Sequence, residues 1–136
     1  MIILGIDYGD VRTGVSVCDK FEMLAVPVTI IKESYEPKLI DKLCSVINEK
    51  KPELLVVGLP KNMDGSCGFR AEACTAFAQT LSSACGVPVK MWDERLTSVI
   101  AHRQLHATGK KEKQHKSNVD AAAAVEILQS FIDSRK

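Results

Sequence analysis

Four acidic residues stand where an α/β protein tends to keep its chemistry. Asp7 closes one short apolar run, Asp93 and Glu94 close another, and Asp120 comes just before four consecutive alanines, Ala121 to Ala124. In open α/β sheets, ligand sites lie beyond the carboxyl ends of the strands, near the point where strand order reverses. On a helical projection Asp120 sits at the edge of an apolar stripe within the first turn, and the small side chains after it let that helix approach a sheet closely. Gathered carboxylates with few alternative ligands select hard cations such as Mg²⁺ or Mn²⁺. Two such ions can activate a water and stabilise the leaving oxygen of an in-line phosphodiester displacement. They would also let an acidic pocket accept a polyanion. Spacing alone leaves blander readings open: Asp is a common turn former at strand ends, and a first-turn Asp is stabilised by the helix N-terminus without any ligand.

The basic residues carry a complementary set of expectations. Lys110, Lys111, Lys113 and Lys116, with His115, form the densest basic stretch. Such a segment either contacts phosphates without reading sequence or is a solvated loop. Arg70 and Arg95 are phosphate contacts or solvated helix charges. The loop Lys61 to Ser66, with Asn62, Asp64 and Gly65, is read as a substrate-side loop, although a plain turn before a Ser66 cap has the same composition. His102 and His106 share a helical face, but no HExxH-type glutamate lies between them, so they are read as structural or exposed. Trp92 is assigned to packing within a buried strand.

These residues need elements to hold them. Ile2 to Asp7 reads as a first strand, Thr13 to Cys18 as its hairpin partner, and Glu22 to Lys32, rich in Val, Ile and Thr, as a third. Short connections favour antiparallel pairing among these strands. Pro37 suits a first helical turn, and Leu39, Ile40, Leu43, Val46 and Ile47 follow at helical spacing. Leu54 to Leu59 and Val87 to Trp92 read as buried strands. Between them, a helix is expected to start near Ser66, present Phe69, Ala73, Phe77, Leu81 and Ala84 on one face, and stop at Gly86. A third helix is expected from about Thr97 to His106, then an exposed mobile loop from Ala107 to Lys116. A last helix is expected from Ser117 or Asn118, with Ala121, Ala124, Val125, Leu128, Phe131 and Ile132 as its stripe. Three antiparallel strands followed by βα alternation imply an α/β fold: a mixed five-stranded sheet, three strands antiparallel and then two parallel, flanked by helices on both faces.

The whole chain of 136 residues fits one domain with one core. Its 18 Lys and Arg against 17 Asp and Glu leave a formal charge of +1, so affinity for nucleic acid must come from local clusters. This weakens a pure binding-module reading. The five cysteines form no CxxC pair and no zinc-like spacing with the three histidines. The start MIILGIDYG has neither a basic n-region nor an apolar run long enough for a leader or a membrane span. Reduced thiols, a cytoplasmic location and no membrane partner are therefore expected.

Four segments resemble the YqgF/RuvX family, whose members are described as Holliday junction resolvases and as nucleases maturing the small-subunit ribosomal RNA precursor. They are GIDYGDVRTGVSV at Gly5 to Val17, VGLPKNMDGS at Val57 to Ser66, DERLTS at Asp93 to Ser98 and VDAAAAVEILQ at Val119 to Gln129. Their order and separations match along essentially the whole chain. Ser98 replaces a second threonine common after DERLT and keeps the hydroxyl. The resemblance implies a ribonuclease H-like nuclease domain over residues 1–136 and puts Asp7, Glu94 and Asp120 at the family's catalytic, metal-holding carboxylates. It also implies that Arg12, in the turn after Asp7, faces the site, where arginine can grip a phosphate. The expected partners are nucleic acid, with precursor ribosomal RNA ahead of branched DNA, and a ribosome or pre-ribosome. The expected assembly is a monomer or a weak homodimer. Two rivals remain. One is a phosphotransferase of the actin and sugar-kinase class, whose phosphate hairpin resembles GIDYGDVRTG but which needs two lobes. The other is a non-catalytic nucleic-acid or ribosome-assembly factor.

Overall fold

The computed structural model describes residues 1–60, 68–94 and 119–135, with the backbone alone at 119–121. The described strands are β1 (Ile3–Asp7), β2 (Arg12–Cys18), β3 (Ala25–Lys32), β4 (Leu54–Leu59) and β5 (Val89–Asp93). The described helices are α1 (Glu36–Lys50), α2 (Phe69–Cys85) and α3 (Val119–Ser134). The strands form one sheet in the order β3-β2-β1-β4-β5. β1, β2 and β3 pair antiparallel, while β4 pairs parallel with both β1 and β5. The expected mixed sheet is therefore present, and strand order reverses between β1 and β4.

Alternation along β1 divides the core between the two faces of the sheet. Leu4 and Ile6 point to the face covered by α1 and α2, where they join Leu39, Leu43, Leu55, Val57, Phe77 and Leu81. Ile3 points to the other face, with Val56, Ala123, Ile127, Leu128, Phe131 and Ile132. Fully burying one such Leu, Ile or Phe side chain stabilises the fold by about 1.5–3 kcal/mol. α3 lies close against its face. The Ser16 hydroxyl donates to the Ala124 carbonyl at 2.7 Å. A Cβ added at Gly5 would stand 2.7 Å from the Leu128 Cβ and 3.1 Å from the Ala124 oxygen.

Four expectations need correction. The third strand begins at Ala25 rather than Glu22, because the Asp19 carboxylate accepts from the Phe21 and Met23 amides and Glu22 takes a φ of 54°. The described part of α2 begins at Phe69 after a Gly68 N-cap, and its buried face is Ala71, Cys74, Phe77, Ala78 and Leu81. Phe69, expected inward, is 87% exposed, and Ala84 is exposed too. β5, expected to be buried, is a half-buried edge strand from Val89 to Asp93. On α3 the inward stripe includes Ala123 and Ile127, with Val125 only half-buried. The end of α2 is as expected: Gly86 adopts φ 76° and its amide donates to the Ser82 carbonyl. The helix expected over Thr97 to His106, the loop from Ala107 to Lys116, and the start of the last helix at Ser117 or Asn118 lie outside the described residues.

Gly5→Ala tests the close approach of α3. The new methyl would stand 2.5 Å from the Ser16 Oγ and 2.7 Å from a Leu128 carbon, so the helix must shift. Overpacking of this kind should cost about 1–3 kcal/mol in denaturant unfolding. An unchanged denaturation midpoint would mean that α3 has room to spare.

Candidate active site

Register places the carboxylates. Ile6 pairs with Val57, so one step further Asp7 stands beside Gly58, about 4.8 Å away across a parallel ladder. Gly58 in turn pairs with Trp92, and Glu94 lies two residues beyond Trp92 on the same face. The Glu94 side chain lies over Gly58: its Cγ and Cδ are 3.2 and 3.3 Å from where a Gly58 Cβ would be. Asp7 shares this face, because Gly5 two residues earlier meets α3 there. The structure thus brings Asp7 and Glu94 together at the carboxyl ends of β1, β4 and β5. Asp7 is 9% exposed and Glu94 5%.

α3 brings Asp120 to the same end. At its C-terminal end Arg135 pairs with Glu22 at 2.8 Å, and Glu22 also binds the Met1 amine at 3.0 Å, beside the start of β1. Ala124 and Leu128 lie at Gly5, so the helix runs counter to β1. Asp120 precedes Ala124 by one turn, about 6 Å of helix, and Asp7 follows Gly5 by about 6.6 Å of strand. The helix backbone therefore carries Asp120 over the sheet end that bears Asp7.

The arginines are placed differently from one another. Arg70, in the first turn of α2, donates to the Asp10 carboxylate at 2.6 Å and to the Tyr8 carbonyl at 2.7 Å. Its guanidinium lies 5.3 Å from the centre of the Tyr8 ring, which stacks on Phe77 at 4.0 Å. Arg12 is exposed at the start of β2, in register with Lys32. Trp92 does pack: it meets Phe131 edge-on and donates to Ser130 at 3.1 Å. Asn62, Arg95, Lys110, Lys111, Lys113, Lys116, His102, His106 and His115 lie outside the described residues.

Sequence reasoning missed Gly58 and Gly5, although a glycine inside a strand pattern is a signal of close approach. It also missed Cys74. Burial pushes this thiol up to about 11 from its ordinary 9.0; Arg70 pulls it back, while Glu94, Asp7 and Asp10 push it further. One buried sulfur thus senses all four charged groups. Among the described residues, Cys18 and Cys74 are buried, Cys44 and Cys85 are half-buried, and none of the four is in a disulfide; Cys67 lies outside them. Among the described side chains no group of three or more His, Cys, Asp and Glu forms a metal cluster; the side chain of Asp120 is not among them. A pocket of about 530 Å³ lined by Phe21, Glu22, Ile132 and Arg135 lies at the opposite end of the sheet. Its Glu22 is already engaged, and the clustered carboxylates mark the stronger candidate. No described helix is long and apolar enough to cross a membrane.

A mixed sheet of this order with helices on both faces is the ribonuclease H-like fold. T. thermophilus RuvC in complex with Holliday junction substrate superposes with a TM-score of 0.61 at 16% identity, over 99% of this chain and 96% of that one. The chain belongs to the family described as "RuvX: Holliday junction resolvase", which matches residues 1–134. A Crocosphaera subtropica protein named "Putative pre-16S rRNA nuclease" is 40% identical over 98% of this chain and 93% of its own length. A Clostridium novyi protein of the same name is 40% identical over 98% of this chain and 99% of its own.

Cys74 gives the site a measurable pH signature. The unfolded thiol releases its proton near 9.0 and the folded one near 11, so the folded state holds the proton longer. Its contribution to stability is intact below pH 9 and is lost as pH rises towards 11, by about 2–3 kcal/mol in metal-free buffer. Cys74→Ala should flatten that alkaline decline relative to the unsubstituted protein. Parallel declines in the two proteins would show that the thiol is not held protonated.

Proposed function

We propose that the chain is a metal-dependent nuclease that hydrolyses phosphodiester bonds in structured RNA, trimming the 5′ end of the small-subunit ribosomal RNA precursor within one domain over residues 1–136. The observation that carries this reading is the pair of buried carboxylates, Asp7 and Glu94, juxtaposed over Gly58 at the reversal point of the sheet. Carboxylate oxygen donors suit a hard divalent cation, Mg²⁺ or Mn²⁺. Asp7, Glu94 and Asp120 would hold it, and when bound it supplies Lewis acidity and a water of lowered pKa.

The chain's own residues do the remaining work. Asp7 and Glu94 are buried, Glu94 beside Gly58 and Ile127, and charge in such a setting acts more strongly than in water. Arg12, Asn62, Arg95, Lys110, Lys111 and Lys113 are assigned to the sugar–phosphate backbone of the substrate, which they position without reading its sequence. Arg70, already committed to Asp10 and Tyr8, takes a different part. A cytoplasmic location is part of this reading. The RNA substrate follows the names of the relatives, and a ribosome or pre-ribosome is the partner that substrate implies. A monomer or weak homodimer suffices. The second reading, cleavage of branched DNA, is favoured by the family description and by the shared RuvC fold.

Purified protein with Mg²⁺ or Mn²⁺, given precursor RNA and a four-way DNA junction side by side, decides between the two. Asp7→Asn should abolish cleavage of the preferred substrate and preserve the fold, because it removes a charge the cation needs and little volume. It should also slightly raise thermal stability in metal-free buffer by relieving carboxylate repulsion. Undiminished turnover in this variant would remove Asp7 from the site, and no cleavage of either substrate by the unsubstituted protein would favour a binding factor. Alanine at Lys110, Lys111 and Lys113 should weaken binding of all sequences alike and lower the log–log salt slope by about 0.7–0.9 per lost contact. An unchanged slope would leave the phosphate to the arginines.

A further inference from the structure

Residues 8–11 join β1 to β2 directly after Asp7, and little in the sheet holds them. The last β1–β2 pair is Asp7 with Gly14, and Val11 is 60% exposed. One backbone bond anchors the far side of the turn, from the Glu33 amide to the Val11 carbonyl at 2.9 Å. The near side is anchored from α2. Arg70 gives one nitrogen to the Tyr8 carbonyl and another to the Asp10 carboxylate, and its guanidinium carbon lies 5.3 Å from the centre of the Tyr8 ring stacked on Phe77.

We infer that Arg70 is a positioning residue, whose fork fixes the turn after Asp7 so that the Asp7 carboxylate is held facing Glu94 before metal or substrate arrives. Stability is a poor explanation for the contact, since Asp10 is 86% exposed and exposed ion pairs contribute about 0–1 kcal/mol. Geometry is a better one. A planar guanidinium can bond a carbonyl and a carboxylate at once while stacking on a ring, which a lysine ammonium cannot do. The carbonyl it grips belongs to the residue next to Asp7, so the backbone that aims the carboxylate loses its freedom. A partner that orients a metal-holding carboxylate typically changes metal affinity or activity by about 10- to 100-fold when removed.

The effect on cleavage rests on the nuclease reading; the effect on the turn does not, and the experiment separates them. Arg70→Lys, Arg70→Ala and the unsubstituted protein are compared by amide hydrogen exchange at Glu33, whose amide bonds the Val11 carbonyl of the turn, by Mn²⁺ binding followed through the signal of free Mn²⁺, and by cleavage kinetics. Exchange at the turn should accelerate in both variants, Mn²⁺ binding should weaken and kcat should fall, the latter two by about 10- to 100-fold. KM for nucleic acid should stay within about twofold, with Arg70→Lys no better than a partial rescue because one ammonium replaces a fork. If KM rose while kcat, Mn²⁺ affinity and exchange stayed put, Arg70 would be a phosphate contact and the inference would fall. Unchanged exchange at the turn would overturn it equally. Should the Arg70 variants not fold, Asp10→Ala removes one of the two bonds from outside the helix and should give the same effects at smaller size; no change in exchange there also overturns it. If the unsubstituted protein neither binds Mn²⁺ nor cleaves, the nuclease reading fails alone, and the exchange data still decide the role of Arg70.

Discussion

The spacing between α3 and the sheet is set by side chains that are missing. Gly5 and Gly58 face the helix on neighbouring strands, and a methyl at either would stand within 2.5 Å of another side chain. The Ser16 hydroxyl then bridges the narrowed gap to the Ala124 carbonyl. Interiors pack near crystalline density, so a gap of this width leaves no freedom to slide. Everything at the site inherits that spacing. Glu94 can lie across Gly58 only because no Cβ is there, and the first turn of α3 reaches the sheet end of Asp7 only because Ala123 and Ala124 are small enough to be buried against it. The site is thus fixed by absences in the strands and by alanine in the helix.

Burying two carboxylates together works against folding. Each ion removed from water carries a penalty of several kcal/mol, and the like charges add repulsion. Well-packed apolar replacements of buried charges are often neutral or stabilising, so stability is weak ground for burying Asp7 and Glu94. Buried acidic groups gathered beyond the carboxyl ends of the strands are candidates for function. Burial pushes the Cys74 thiol up to about 11, Arg70 pulls it back, and Glu94, Asp7 and Asp10 add smaller upward pushes. A bound divalent cation would relieve the repulsion and turn the same cluster from a liability into a ligand set.

Much of this was legible from residues alone, and what was not has physical reasons. β4 reads directly from Leu54 to Leu59 because a central parallel strand is apolar on both faces. α1 reads from its apolar spacing after Pro37. β3 was read too long because composition does not reveal an aspartate capping the turn before it. The face of α2 reads correctly at Phe77 and Leu81 but not at Phe69 and Ala84, which are exposed, because Ala71, Cys74 and Ala78, too small to stand out in the sequence, fill the rest of the buried stripe. β5 was read as buried because edge position is a property of the sheet, not of the strand. The acidic strand ends were visible one by one. Their juxtaposition required register, and the bond from Arg70 to Asp10, 60 residues apart, has no trace in local sequence.

Electrostatic balance explains why the arginine contact matters more than its strength suggests. The chain carries almost equal numbers of acids and bases, so no global field draws a polyanion to an acidic pocket. With screening over about 8–10 Å, the substrate feels only the charges beside its path. Near Asp7 and Glu94, Arg70 is a cation, and Asp10 already offsets it. An arginine neutralised in this way attracts phosphate weakly but holds the backbone firmly. Attraction is then left to other basic groups, and the turn after Asp7 is free to serve geometry. A site arranged like this separates the task of gathering substrate from the task of aiming a carboxylate, and a change in one need not disturb the other.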